Sequence, residues 1–108
     1  VRRGEIWTVA GGPAYAGKPR PAVILQDDLF DATDSVTLCP ITSDPSDLPL
    51  LRVAIEPSEG NGLRNRCRLM ADKITTARRS RLGQRIGRLT DTEMAQLSRA
   101  VIVFLGMV

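Results

Sequence analysis

The chain has 108 residues, one domain's worth, which buries roughly two-thirds of its unfolded surface without staples. It carries 15 basic and 12 acidic residues, a net charge of +3, two cysteines and no histidine. The commonest general base and metal ligand are therefore gone, and catalysis would fall to arginine, carboxylates, lysine or hydroxyls. Cys39 and Cys67 lie far from CxxC spacing and suggest neither a zinc site nor a disulfide scaffold. No apolar run approaches the ~20 residues of a membrane span. The segment Val1-Arg2-Arg3-Gly4-Glu5 lacks the apolar core of a signal peptide, which points to the cytosol.

Arg3 to Val9 reads as a first strand, with Ile6 and Thr8 on one face and Trp7 and Val9 on the other. Ala10 to Gly17 is loop by its breakers, and it holds the sole tyrosine, Tyr15, as either an idle side chain or a stacking platform for a base. In Lys18-Pro19-Arg20-Pro21 each proline fixes its own φ and biases the residue before it to extended geometry. Ala22 to Leu25 lacks polar alternation and reads as a strand covered on both faces, with Arg20 on stiff backbone at its rim.

Asp27 to Asp34 is too polar for core. Val36 to Ile41 is a third strand, and Thr42-Ser43-Asp44-Pro45 a turn or short helix start. Leu50 to Ile55 gives a fourth strand and Arg66 to Thr75 a fifth. Ala77 to Leu82 reads as one helical turn, and Gln84 to Leu89 as a sixth strand. Thr90-Asp91-Thr92-Glu93 has the form of a capping box. Met94, Leu97, Val101, Phe104 and Leu105 then fall on one helical face, and Gly106 is placed to end the helix. The fold expectation is mainly β: a small curled sheet or barrel packed by a terminal amphipathic helix.

Charge is unevenly spread. Residues 64–88 hold nine basic residues against Asp72, a net +8, whereas residues 26–63 hold eight acidic residues against Arg52, a net −7. Thirteen of the fifteen basic residues are arginine, the side chain suited to bidentate phosphate contact. A polyanion, or an acidic protein segment, is the leading class of partner. Three chemically useful groups fall at strand ends: Arg20, the pair Thr42-Ser43, and Asp72-Lys73.

Six stretches in order resemble one family. They are Arg3-Gly4-Glu5-Ile6-Trp7, Arg20-Pro21-Ala22-Val23-Ile24-Leu25, Pro40-Ile41-Thr42-Ser43, the run from Arg68 to Thr76, Ser80-Arg81-Leu82, and Ile86-Gly87-Arg88-Leu89. Together they resemble the MazF/PemK (Kid) toxin endoribonucleases of bacterial toxin–antitoxin pairs, over nearly the whole of residues 1–108. The resemblance implies an SH3-like barrel with a C-terminal helix, acting as a homodimer that cleaves single-stranded RNA without metal or cofactor. It implies that Arg20 and Thr42 carry the reaction, in which a 2′-hydroxyl attacks phosphorus to leave a 2′,3′-cyclic phosphate and a 5′-hydroxyl. Asp72 matches an aspartate implicated as base in the Kid branch. The arginine that accompanies that aspartate two residues earlier is Met70 here, and the loop before Arg20 lacks the family's glutamate. Candidate RNA contacts are Tyr15, Lys18, Ser43, Arg68, Lys73, Arg78, Arg79 and Arg81. The implied protein partner is an antitoxin whose acidic segment covers Arg20 and the basic stretch. A CcdB-like gyrase poison and a non-catalytic RNA-binding barrel are the alternatives; the Arg20-Pro21 and Thr42-Ser43 motifs favour the ribonuclease.

Overall fold

Apolar and β-branched runs build the first three strands. The computed structural model describes residues 1–11 and 18–107. Strands β1 (Glu5–Val9), β2 (Arg20–Ile24) and β3 (Ser35–Thr42) pair antiparallel, so that Ile6 lies opposite Val23 and Val23 opposite Cys39. Successive side chains on a strand point to opposite faces. Ile6, Val23 and Cys39 therefore enter one apolar cluster, while Trp7, Ala22, Ile24 and Leu38 enter a second on the other side. The expectation of a strand covered on both faces holds for β2, and so does the split of Ile6 from Trp7 and Val9.

The remaining strands are β4 (Arg52–Ile55), β5 (Cys67–Met70), β6 (Thr75–Arg78) and β7 (Leu82–Arg88). Among the described residues they complete a seven-stranded sheet in the order β4-β5-β3-β2-β1-β7, with β6 also paired to β3. The loop after β4 reaches β7, where Arg88 N donates to Gly60 O at 2.9 Å. A Cβ on Gly87 would fall 2.4 Å from the Asn61 carbonyl, so this contact requires glycine. Asn61 is 1% exposed, and its side chain accepts from Ser58 N and Leu63 N and donates to Glu56 O. A buried amide with its bonds made holds the loop without a desolvation penalty.

Helix α1 (Asp91–Phe104) covers the inner cluster. Thr90 Oγ1 accepts from Glu93 N at 3.1 Å and Glu93 Oε1 accepts from Thr90 N at 2.9 Å, the reciprocal capping box. Leu97 is fully buried, with Met94 and Val101 packed beside it. Gly106 has a φ of +71°, the left-handed geometry that ends a helix. Phe104 and Leu105 depart from the expected stripe: they are 46% and 54% exposed, because the last turn runs past the cluster that Leu97 and Val101 fill.

Two further expectations need correction. The single strand from Arg66 to Thr75 is broken by a 3₁₀ turn at Ala71–Lys73. Register shows why: Leu69 faces Ile41 and Thr75 faces Leu38, so six steps on one strand match three on β3. The three surplus residues form the turn. The helical turn expected at Ala77 to Leu82 is instead the end of β6, a 3₁₀ turn at Arg79–Arg81 and the start of β7. Thr42 closes β3, and of the turn and helix start expected at Thr42-Ser43-Asp44-Pro45 the turn is what forms, with Asp44 N donating to Thr42 Oγ1.

Candidate active site

The β2–β3 ladder brings together what the sequence kept 22 residues apart. Ala22 faces Pro40. Beyond that pair Arg20 opens β2 and Thr42 closes β3. Alternation then puts Arg20 and Thr42 on the face that carries Ala22 and Leu38. They share a groove of about 530 Å³, floored by Val9, Ala22, Leu38 and Pro40, with Ser43 and Arg81 also on its lining. One wall is formed by Met70, Thr75 and Thr76, from either side of the Ala71–Lys73 turn.

Local bonds set the polar groups. Thr42 Oγ1 accepts from Asp44 N at 3.1 Å, which occupies a lone pair and leaves the hydroxyl proton to donate elsewhere. Asp44 in turn accepts from Ser46 N and Ser46 Oγ, and these bonds hold its carboxyl below the usual range. Arg81 lines the groove and donates from Nη2 to Ala10 O at 2.6 Å. Arg20 is exposed. Among the described residues the lining thus includes two guanidinium groups and three threonine hydroxyls beside apolar side chains, an arrangement chemically suited to an anion carried on a flat, partly apolar body.

The other expected residues lie away from the lining. Arg68 is opposite Thr42 in register and donates to Asp44 O at 3.4 Å. Arg79 donates to Thr33 O, Arg78 is exposed at the end of β6, and Lys18 is exposed ahead of β2. Lys73 sits 3.5 Å from Asp72. Tyr15 falls outside the described residues.

Asp72 is not part of the groove lining. Arg52 Nε donates to its Oδ1 at 2.9 Å and Nη2 to its Oδ2 at 3.4 Å, with both side chains only 10% exposed. Those bonds hold the Asp72 carboxyl below its ordinary value. Arg52 stands directly opposite Met70 in the β4–β5 register, so it supplies from the neighbouring strand the guanidinium that position 70 lacks. Sequence reasoning missed Arg52, Met70, Thr75 and Thr76. The one available signal was that Arg52 is the lone basic residue of an acidic stretch. Cys39 and Cys67 are free and buried, with Cys67 on the groove lining; burial pushes the Cys39 thiol up to about 12 and raises Cys67, which disfavours the thiolate at both. Among the described residues no helix is long and apolar enough to cross a membrane.

A curled antiparallel sheet, a terminal helix and an arginine–threonine groove define a class. Residues 2–105 match the family model described as PemK-like, MazF-like toxin of type II toxin–antitoxin system. The chain belongs to that family. It is 53% identical over 107 residues to a probable endoribonuclease MazF of Mycolicibacterium smegmatis, covering 99% of this chain and 98% of the relative. It is 33% identical over 116 residues to endoribonuclease MazF9 of Mycobacterium tuberculosis, covering 99% and 98%. Among solved structures, an endoribonuclease in complex with its cognate antitoxin from a mycobacterial species superposes with a TM-score of 0.84 at 24% identity, covering 100% and 97% of the two chains. The Mycobacterium tuberculosis toxin MazF-mt6 does so with a TM-score of 0.77 at 25% identity, covering 93% and 95%.

Proposed function

We propose that this MazF-type endoribonuclease toxin cleaves single-stranded RNA in the groove between Arg20 and Thr42, without a metal ion. The observation that carries the reading is that Arg20, at the start of β2, and Thr42, at the end of β3, line one groove. The 2′-hydroxyl oxygen bonds to the neighbouring phosphorus while the bond from phosphorus to the 5′-oxygen breaks. The 2′-hydroxyl proton passes to water and the leaving 5′-oxygen takes a proton from water, so that a 2′,3′-cyclic phosphate and a 5′-hydroxyl result. Negative charge accumulates on the non-bridging oxygens, where the Arg20 guanidinium binds. Thr42 Oγ1 accepts from Asp44 N through one lone pair and hydrogen-bonds a phosphate oxygen through its hydroxyl proton. A preorganised donor of this kind is worth about 3 kcal/mol of transition-state stabilisation.

The ion pair with Arg52 argues against Asp72 as the proton acceptor. An efficient base needs a pKa raised towards neutrality, and Arg52 acts in the opposite direction. The antitoxin expected from family membership meets Arg20, Arg81 and the exposed basic stretch with an acidic segment that folds on the toxin. A symmetric homodimer accords with the apolar residues left exposed at the end of α1, among them Ile102, Phe104 and Leu105. The site of action is the cytoplasm, where the RNA is.

The test is to map new 5′-hydroxyl ends on a long RNA in buffer containing a chelator, with Arg20→Ala as control. Cleavage by the native protein and its loss in a folded Arg20→Ala variant support the mechanism. Full activity in that variant sinks it. A gyrase-poisoning assay run in parallel detects the alternative of this fold.

A further inference from the structure

We propose that Arg52 and Asp72 are positioning residues, a latch that holds the Ala71–Lys73 turn and thereby sets the groove wall of Met70, Thr75 and Thr76. The inference rests on reading the groove as the RNA site.

Three independent features converge on this turn. First, the register of β3 leaves three residues with no place in the ladder, so the chain there must be held by something other than strand pairing. Second, the start of β4 and the residue before it grip it twice. Leu51 O accepts from Ala71 N at 2.9 Å, and the Arg52 guanidinium takes both oxygens of Asp72. Third, the residues on either side of the turn, Met70 before it and Thr75 and Thr76 after it, all line the groove. A shift of the turn moves that wall and leaves Arg20 and Thr42, which stand on β2 and β3, where they are.

The pair suits such a task. It is largely withdrawn from water, so removing one partner strands an uncompensated charge, whereas replacing both together removes the penalty. Register also explains how position 52 comes to do this. It faces position 70 directly, and a long side chain reaches the diagonal neighbour two residues on. Bulges of this kind recur beside functional sites, where they re-aim side chains.

The experiment compares the single variants Arg52→Asp and Asp72→Arg with the charge-swapped double variant. A second double variant, Arg52→Gln with Asp72→Asn, guards against a swap that fails to fold. Cleavage kinetics are read beside the methyl resonance of Met70, one of only three methionines in the chain. Each single reversal is expected to move that resonance and raise KM by on the order of tenfold, with a smaller change in kcat. Either folded double variant is expected to restore the resonance and bring KM to within about threefold of native. A double variant with a native-like Met70 resonance but kcat down on the order of 10²–10³-fold would assign Asp72 to proton transfer and overturn the latch. Single variants that leave the resonance unmoved overturn it as well. If the native protein cleaves no RNA, the reading of the groove fails, while the Met70 resonance still decides whether the latch exists.

Discussion

On the inner face of the first three strands, Ile6, Val23 and Cys39 belong to the cluster that α1 seals with Leu97; on the outer face, Trp7, Ala22 and Leu38 lead out to Arg20 and Thr42 at an open groove. Both faces are products of the same alternation along the same strands. The inner one is closed and contributes stability. The outer one keeps an apolar floor but ends in charge and hydroxyl groups, so an anion brought there meets donors already held by the sheet. A stiff ladder with one sealed face is what allows the other face to be chemical.

Substitutions on the two faces should separate stability from activity. The largest effect belongs inside: Leu69→Ala, fully buried on β5, is expected to cost about 4 kcal/mol in urea unfolding. Its rate per folded molecule should stay near native, and a rate loss matching the loss of stability would blur the comparison. On the outer face Arg20→Ala should cost about 3 kcal/mol in kcat/KM, more than any change in its unfolding free energy. Thr42→Val comes next, at about 2 kcal/mol or roughly 30-fold in kcat/KM, the value of a hydrogen bond to a charged group. A much smaller loss would mean that Thr42 is not a phosphate donor.

The smallest effect is a pH dependence. Arg52 depresses the native pKa of Asp72 below its ordinary value of 3.8. The pair's contribution to stability is therefore complete above that value and is lost as pH falls through the lower native one. Urea midpoints measured from neutrality into this acid range should fall more steeply for the native protein than for Arg52→Gln. Parallel curves would deny the pair its share.

Legibility in the sequence followed the range of the interaction. The capping box at Thr90 to Glu93, the two-faced strand at Ala22 to Leu25 and the polar Asp27 to Asp34 connection are local patterns, and each appears where expected. Arg20 and Thr42 stood out as charge and hydroxyl at strand ends. The turn at Ala71–Lys73 did not, because Cys67, Leu69, Ala71 and Lys73 alternate as smoothly as any strand. Only the mismatch against β3 reveals three residues too many, and the mismatch exists only once β5 and β6 are both paired to it. Phe104 and Leu105 continue the periodicity of α1 perfectly well, yet the cluster they would join is already filled.

By itself, then, the sequence determined the first three strands, the capped helix, the basic stretch and the arginine held between two prolines, since dihedral preference and side-chain period act within a few residues. The tertiary structure alone decided that Arg20 and Thr42 share one face and that Asp72 is bound to Arg52 from across a strand. Pairing register is a long-range property: it depends on which strands meet and at what offset, and no window of the chain contains both partners.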